Sequence, residues 1–132
     1  MADLSKRLRW AIVVVRLDPV EGHEQAGTRR ALVVSYEAFH RSGLMTVCPL
    51  TAARGVRYPQ EVLVPAGQAG QTRDAVILCH QIRTISTARV VGRVGTLRDP
   101  WRRSEVRTAL ASQLGLDRTA SEDRASGNSV FA

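Results

Sequence analysis

Arg29 and Arg30 stand where a polar, glycine-flanked loop, Glu21-Gly22-His23-Glu24-Gln25-Ala26-Gly27-Thr28, meets the apolar run Ala31-Leu32-Val33-Val34-Ser35. Two glycines permit backbone conformations that other residues resist, so such a loop can close tightly on a ligand. An arginine at a strand mouth presents a planar, permanently charged fork that matches phosphate oxygens. The stretch therefore suits an anionic substrate. A second basic loop sets Arg54 and Arg57 beside Tyr58, a combination that can contact a nucleic-acid backbone and stack on a base. The competing reading is a solvated loop with Tyr58 packed inward. His80, as a histidine, can be the acid or base that the permanently charged Arg29 cannot easily be. It can equally be a satisfied histidine near the end of a core strand.

The bulk properties narrow what these residues can serve. The chain of 132 residues, 44% hydrophobic and 23% charged, is one domain's worth of foldable sequence. A net charge of +7 and a pI near 10.9 favour polyanionic partners. Lys6 is the one lysine, so part of this charge can reflect an arginine bias in base content. Cys48 and Cys79 sit in apolar runs and read as small buried hydrophobes in a reducing compartment. His23, His40 and His80 are scattered and no cysteine pair is close, so no metal-ligand spacing is present. The run Ala11 to Val15 is cut by Arg16 and Asp18, too short for a signal core or a membrane span. A cytoplasmic protein is expected.

The elements that must position these side chains are mostly strands. Trp10 to Leu17 is β-branched and nearly continuous, and Asp18-Pro19 stops it. A second strand runs from Arg30 to Tyr36, a short turn or helical piece from Glu37 to Ser42, and a third strand from Leu44 to Leu50. Pro49 marks that third strand as an edge or a bulge. Glu61 to Val64 forms a short strand, Asp74 to Ile82 a longer one continuing into Arg83-Thr84, and Arg89 to Val94 another, with bends or bulges at Gly92 and Gly95. One helix starts near Asp99-Pro100 and ends at Gly115. Its stripe of Trp101, Val106, Leu110 and Leu114 is expected to pack in the core or a dimer. From Asp117 onward no periodicity remains, which predicts a disordered tail over 117–132 behind a single domain over 1–116. These elements make a small, strongly bent antiparallel sheet or barrel with a C-terminal helix.

In this order the motifs resemble the MazF/PemK (Kid) toxin family. The likeness runs through Leu17-Asp18-Pro19, Glu21 to Arg29, Val47-Cys48-Pro49-Leu50-Thr51, Tyr58-Pro59, Asp74 to Leu78 and Gln81-Ile82-Arg83-Thr84-Ile85, over roughly residues 12–116. The resemblance implies a mainly β, α+β fold of SH3-like barrel type. It implies a homodimeric, metal-independent and cofactor-free endoribonuclease of a toxin–antitoxin system (an mRNA interferase). Single-stranded RNA would be cut to a cyclic phosphate and a 5′-hydroxyl, in a groove that an acidic antitoxin segment also occupies. It places the catalytic pair on Arg29 and Thr51. His23, Glu24, Gln25, Gln81 and Arg83 fall on substrate-facing positions, with Arg54, Arg57 and Tyr58 as further RNA contacts and Glu24 or His80 as acid or base. Three departures stand out: Arg30 replaces a usual proline, His23 a common serine, and His80 an Asp or Glu. Two rival readings share the fold: a toxin that poisons DNA gyrase, and a non-catalytic RNA-binding module.

Overall fold

The computed structural model describes residues 6–16, 27–52 and 54–124. The strands are β1 (Ala11–Arg16), β2 (Thr28–Val33), β3 (Leu44–Ala52), β4 (Glu61–Val64), β5 (Ala75–Leu78), β6 (Arg83–Ser86) and β7 (Val90–Thr96), and α1 is Pro100–Gln113. All pairings are antiparallel, in the order β4-β5-β3-β2-β1-β7, with β6 also on β3.

The near-continuous apolar runs follow from burial on both faces of the sheet, which removes the usual in–out alternation. Ile12, Leu32, Cys48, Leu50, Val62 and Ile77 turn to one face, where Val106 and Ala109 of α1 cover them. Ala11, Val13, Val15, Ala31, Val33 and Val47 turn to the other, where Met45, Ile85, Val90 and Leu8 complete a second cluster. Between β1 and β7 the register slips twice, leaving Val94 and Val91 unopposed and bending β7 beside Gly95 and Gly92. Asp99 caps α1 by accepting the Trp101 N–H at 2.9 Å, with Pro100 at the first position, as the sequence predicts.

Several expectations change. β2 begins at Thr28, so Arg29 lies inside a strand rather than before it. Pro49 lies in a central strand, not at an edge. Pairing of β3 with β6 ends at Val47 and pairing with β5 begins at Leu50, so a residue without an N–H falls between two partners. The strand expected from Asp74 to Ile82 breaks after Leu78 into a 3-10 turn, Cys79–Gln81, before β6 starts. Trp101 and Leu114 are 79% and 55% exposed on the single chain, so of the expected stripe Val106 and Leu110 meet the core, joined by Ala109. In the segment expected to be a structureless tail, Thr119 and Glu122 cap each other reciprocally at 2.7 and 3.2 Å and open a helical turn over 120–124. His40, with no motif around it, reads as a surface residue, yet its side chain is 7% exposed. Its Nε2 lies 2.7 Å from Ser35 Oγ and its Nδ1 3.3 Å from Glu37. Ser35 Oγ also accepts the Thr46 N–H, and Glu37 accepts the backbone N–H groups of Leu8 and Arg9, so this trio ties the start of β1 to the 3-10 turn Glu37–Ser42.

Candidate phosphate-binding cleft

Alternation along three neighbouring strands builds one small cleft of about 70 Å³ on the face opposite α1. In β2 it turns Arg29 and Ala31 inward together; in β3 Val47 and Pro49; in β6 Arg83 and Ile85. Val15, Ala31, Val47, Pro49 and Ile85 make an apolar floor, while Arg29, Gln81 and Arg83 make a polar, doubly cationic rim. The β2–β3 pairing ends at Ala31 and Pro49, two residues short of Arg29 and Thr51; Thr51 pairs with Val76 of β5, and alternation puts it on the face Pro49 shares. The Arg29 Nη2 donates to the Leu50 carbonyl at 3.2 Å, which parks the guanidinium beside Thr51 with most of its donors open. The Thr51 hydroxyl has no hydrogen bond among the described residues. Fixed donors at an apolar floor, aimed outward, suit an oxyanion that gains charge during reaction.

Arg30 does not join this site. Alternation sends it to the α1 face, where its Nη1 donates to Oε1 of the buried Gln71, so the arginine pair is split between two faces. His23, Glu24 and Gln25 lie outside the described residues.

The remaining predicted residues gather around a carboxylate that sequence reasoning passed over. Glu61 begins β4 with its side chain fully enclosed. Arg54 grips it with both terminal nitrogens, at 3.1 and 2.7 Å, and the Arg57 backbone N–H donates at 2.8 Å. Arg54 is therefore an internal partner, not a free backbone contact; Arg57 and the 56%-exposed Tyr58 remain outward. His80 sits in the turn after β5, its ring edge-on to Tyr58 at 5.5 Å and its Nδ1 4.0 Å from Glu61. That nitrogen is buried without a hydrogen-bond partner. The signal for Glu61 was an acidic residue opening an apolar strand, with an arginine seven positions earlier.

The Arg54 bonds, outweighing burial, hold the Glu61 carboxyl down at about 2, against an ordinary 4.5. A depressed carboxyl contributes stability that is fully present above about pH 4.5 and lost as pH falls through about 2. Glu61→Gln is expected to lose about 2 kcal/mol at neutral pH. It should also flatten the fall in unfolding midpoint between pH 4.5 and 2, read by thermal melts across that range.

The fold and site together define a small antiparallel β protein that presents an arginine-rimmed cleft on one face and a helix on the other. The chain belongs to the family described as PemK-like, MazF-like toxin of type II toxin–antitoxin system, whose profile matches residues 8–114. It is 35% identical over 101 residues to the endoribonuclease toxin ChpB of Escherichia coli K12, spanning 75% of this chain and 87% of that one. Likewise it is 38% identical over 93 residues to the endoribonuclease EndoA of Bacillus subtilis 168, spanning 69% and 80%. A crystal structure of MazE–MazF from Deinococcus radiodurans superposes with a TM-score of 0.71 at 32% identity, over 87% of this chain and all of that one. The bent sheet and terminal helix are thus those of MazF structures.

Proposed function

We propose that the protein is the toxin of a toxin–antitoxin pair and a sequence-selective endoribonuclease that cuts single-stranded RNA in the cytoplasm without a metal. The observation that carries this reading is the convergence of Arg29, Gln81 and Arg83 on one cleft, with the Arg29 guanidinium bonded to the Leu50 carbonyl next to Thr51 in the chain. The 2′-oxygen attacks phosphorus, the bond from phosphorus to the 5′-oxygen breaks, and a cyclic phosphate and a 5′-hydroxyl result. Arg29 and Thr51 donate to the phosphorane oxygens, where charge develops. Gln81 and Arg83 hold the flanking nucleotide, and Arg57 and Tyr58 the strand beyond. His80, or Glu24 from the preceding loop, takes the 2′ proton or returns one to the leaving oxygen. Two copies of the chain set their clefts along a shared groove, and the antitoxin silences it by laying an acidic segment over the same arginines. MazE–MazF complexes from Deinococcus radiodurans and a mycobacterial endoribonuclease with its cognate antitoxin are precedents for such pairing.

The test is incubation of purified protein with a long RNA in EDTA, with mapping of cut sites and of end chemistry. Discrete cuts bearing cyclic phosphate and 5′-hydroxyl ends are expected. Intact RNA alongside inhibited gyrase would identify the gyrase-poisoning reading, and RNA bound but uncut the binding-module reading. Within the ribonuclease reading, a histidine acid or base bends the rate profile between about pH 5 and 8. His80→Ala is expected to lower and flatten that profile. A profile already flat in the wild type and unchanged in the variant removes His80 from the chemistry.

A further inference from the structure

A second basic cluster lies on the α1 face of the sheet, away from the Arg29 cleft. Trp10 is buried there in the α1-side core, held by its own N–H to Val33 and by its carbonyl accepting from Leu97, each at 2.8 Å. Three guanidiniums crowd its ring: the central carbons of Arg9, Arg103 and Arg107 lie 5.3, 5.1 and 5.2 Å from the centroid. Arg103 and Arg107 are one turn apart on α1 and so share a face. Burial first, then the charges of Arg107, Arg9 and Arg98, push the Arg103 pKa down, which places Arg98 within the same field.

None of the four arginines has an acidic partner among the described residues. The nearby acids are occupied: Glu37 accepts the backbone N–H groups of Leu8 and Arg9, and Asp99 caps α1. Arg103 Nε donates to the Leu97 carbonyl, and Arg9 Nε is buried without any hydrogen-bond partner. Three like charges around one ring, with a fourth acting on Arg103, repel, and the repulsion is relieved when an anion arrives.

We propose that Arg9, Arg98, Arg103 and Arg107 form a second site for the phosphates of a nucleic-acid strand, on the face of the sheet opposite the Arg29 cleft. Planar forks match phosphate oxygens, and four of them exceed what a single small anion can occupy. The indole is 6% exposed beneath the guanidiniums, so the patch offers a partner charge and N–H donors rather than apolar surface. That favours a phosphate backbone over an acidic peptide, which needs seats for its apolar side chains. The site holds the strand by its backbone, irrespective of sequence, and does not depend on cleavage.

The protein has two tryptophans, and Trp101 is 79% exposed, so Trp101→Phe leaves Trp10 as the sole emitter. In an Arg29→Ala, Trp101→Phe background, a single-stranded oligodeoxynucleotide of about 20 residues is titrated across a salt series; it lacks the 2′-hydroxyl and cannot be cut. Saturable change in Trp10 emission is expected. Arg103→Gln with Arg107→Gln should weaken binding about tenfold at low salt and lower the slope of log affinity against log salt by about 1.4. The exposed single variant Arg107→Gln, lowering the slope by about 0.7, serves if the double variant melts early. Unchanged affinity and slope in folded variants would overturn the proposal. So would saturation of the patch by polyglutamate but not by the oligonucleotide, which would assign it to an acidic protein partner.

Discussion

Arg29→Ala is expected to lower kcat/KM for RNA cleavage by about 10³ while the unfolding midpoint stays put. The side chain is exposed and makes one hydrogen bond, to the Leu50 carbonyl at 3.2 Å, so its removal costs little packing. On the proposed reading its value lies in the remaining donors, which bind the phosphate and need no rearrangement as charge develops. Arg29→Lys keeps the charge and loses the fork, so it should recover only part of the loss. The matching control is Arg30→Ala, one residue away on the other face. It leaves the buried Gln71 Oε1 without its donor, costing about 1–3 kcal/mol of stability but little activity in the folded fraction. Single-turnover rates with melts on the three variants check both halves. Equal losses of activity at Arg29 and Arg30 would mean that the split of the arginine pair between faces is not what governs catalysis.

The largest loss of stability is expected at Gly70. Its φ is +75°, and a Cβ built there would meet the Val94 carbonyl oxygen at 2.3 Å and its carbon at 2.9 Å. Both contacts are backbone, so neither yields by a rotamer change. Gly95 answers from the other side, where a Cβ would lie 2.4 Å from the Ala69 oxygen. The turn carrying Gln71 is thus pressed directly onto β7, and Gln71 reaches from it to Arg30. Gly70→Ala combines a left-handed backbone with overpacking and should cost about 3–5 kcal/mol. Against the 5–15 kcal/mol of a typical domain, that leaves a measurable unfolded fraction at growth temperature. Gly67→Ala, at φ +90° with open space around the new carbon, should cost only the backbone share, about 1–2 kcal/mol. Urea midpoints for the pair check the difference.

Much of the architecture was legible in the chain because the signals were local. Asp99-Pro100 and Gly115 bracket α1, Glu61–Val64 is bounded by turn residues, and Gly92 and Gly95 mark where β7 slips against β1. The errors fall where a local pattern was ambiguous. An apolar run such as Ala75 to Ile82 reads as one strand, yet the chain turns at Cys79 so that β6 can pair with β3 beside β5. A stripe at helical spacing does not say which part of it meets the chain's own core, so the share of Val106 and Leu110 was not separable from that of Trp101, and Ala109 went unnoticed.

The residue types and order in this chain were enough to determine the family, the strand-rich class and the arginine and threonine proposed to handle phosphate. Side-chain alternation and short-range capping act over a few residues, so they survive in one dimension. Which residues share a face with which was decided only by the fold. The Arg29 bond to the Leu50 carbonyl set its guanidinium next to Thr51, alternation turned Arg30 away to Gln71, and the closing of β4 on β5 buried Glu61 against Arg54 near His80. Arg54 and Glu61 apart, which are seven positions from each other, those pairings join positions too far apart for any local window to contain both members.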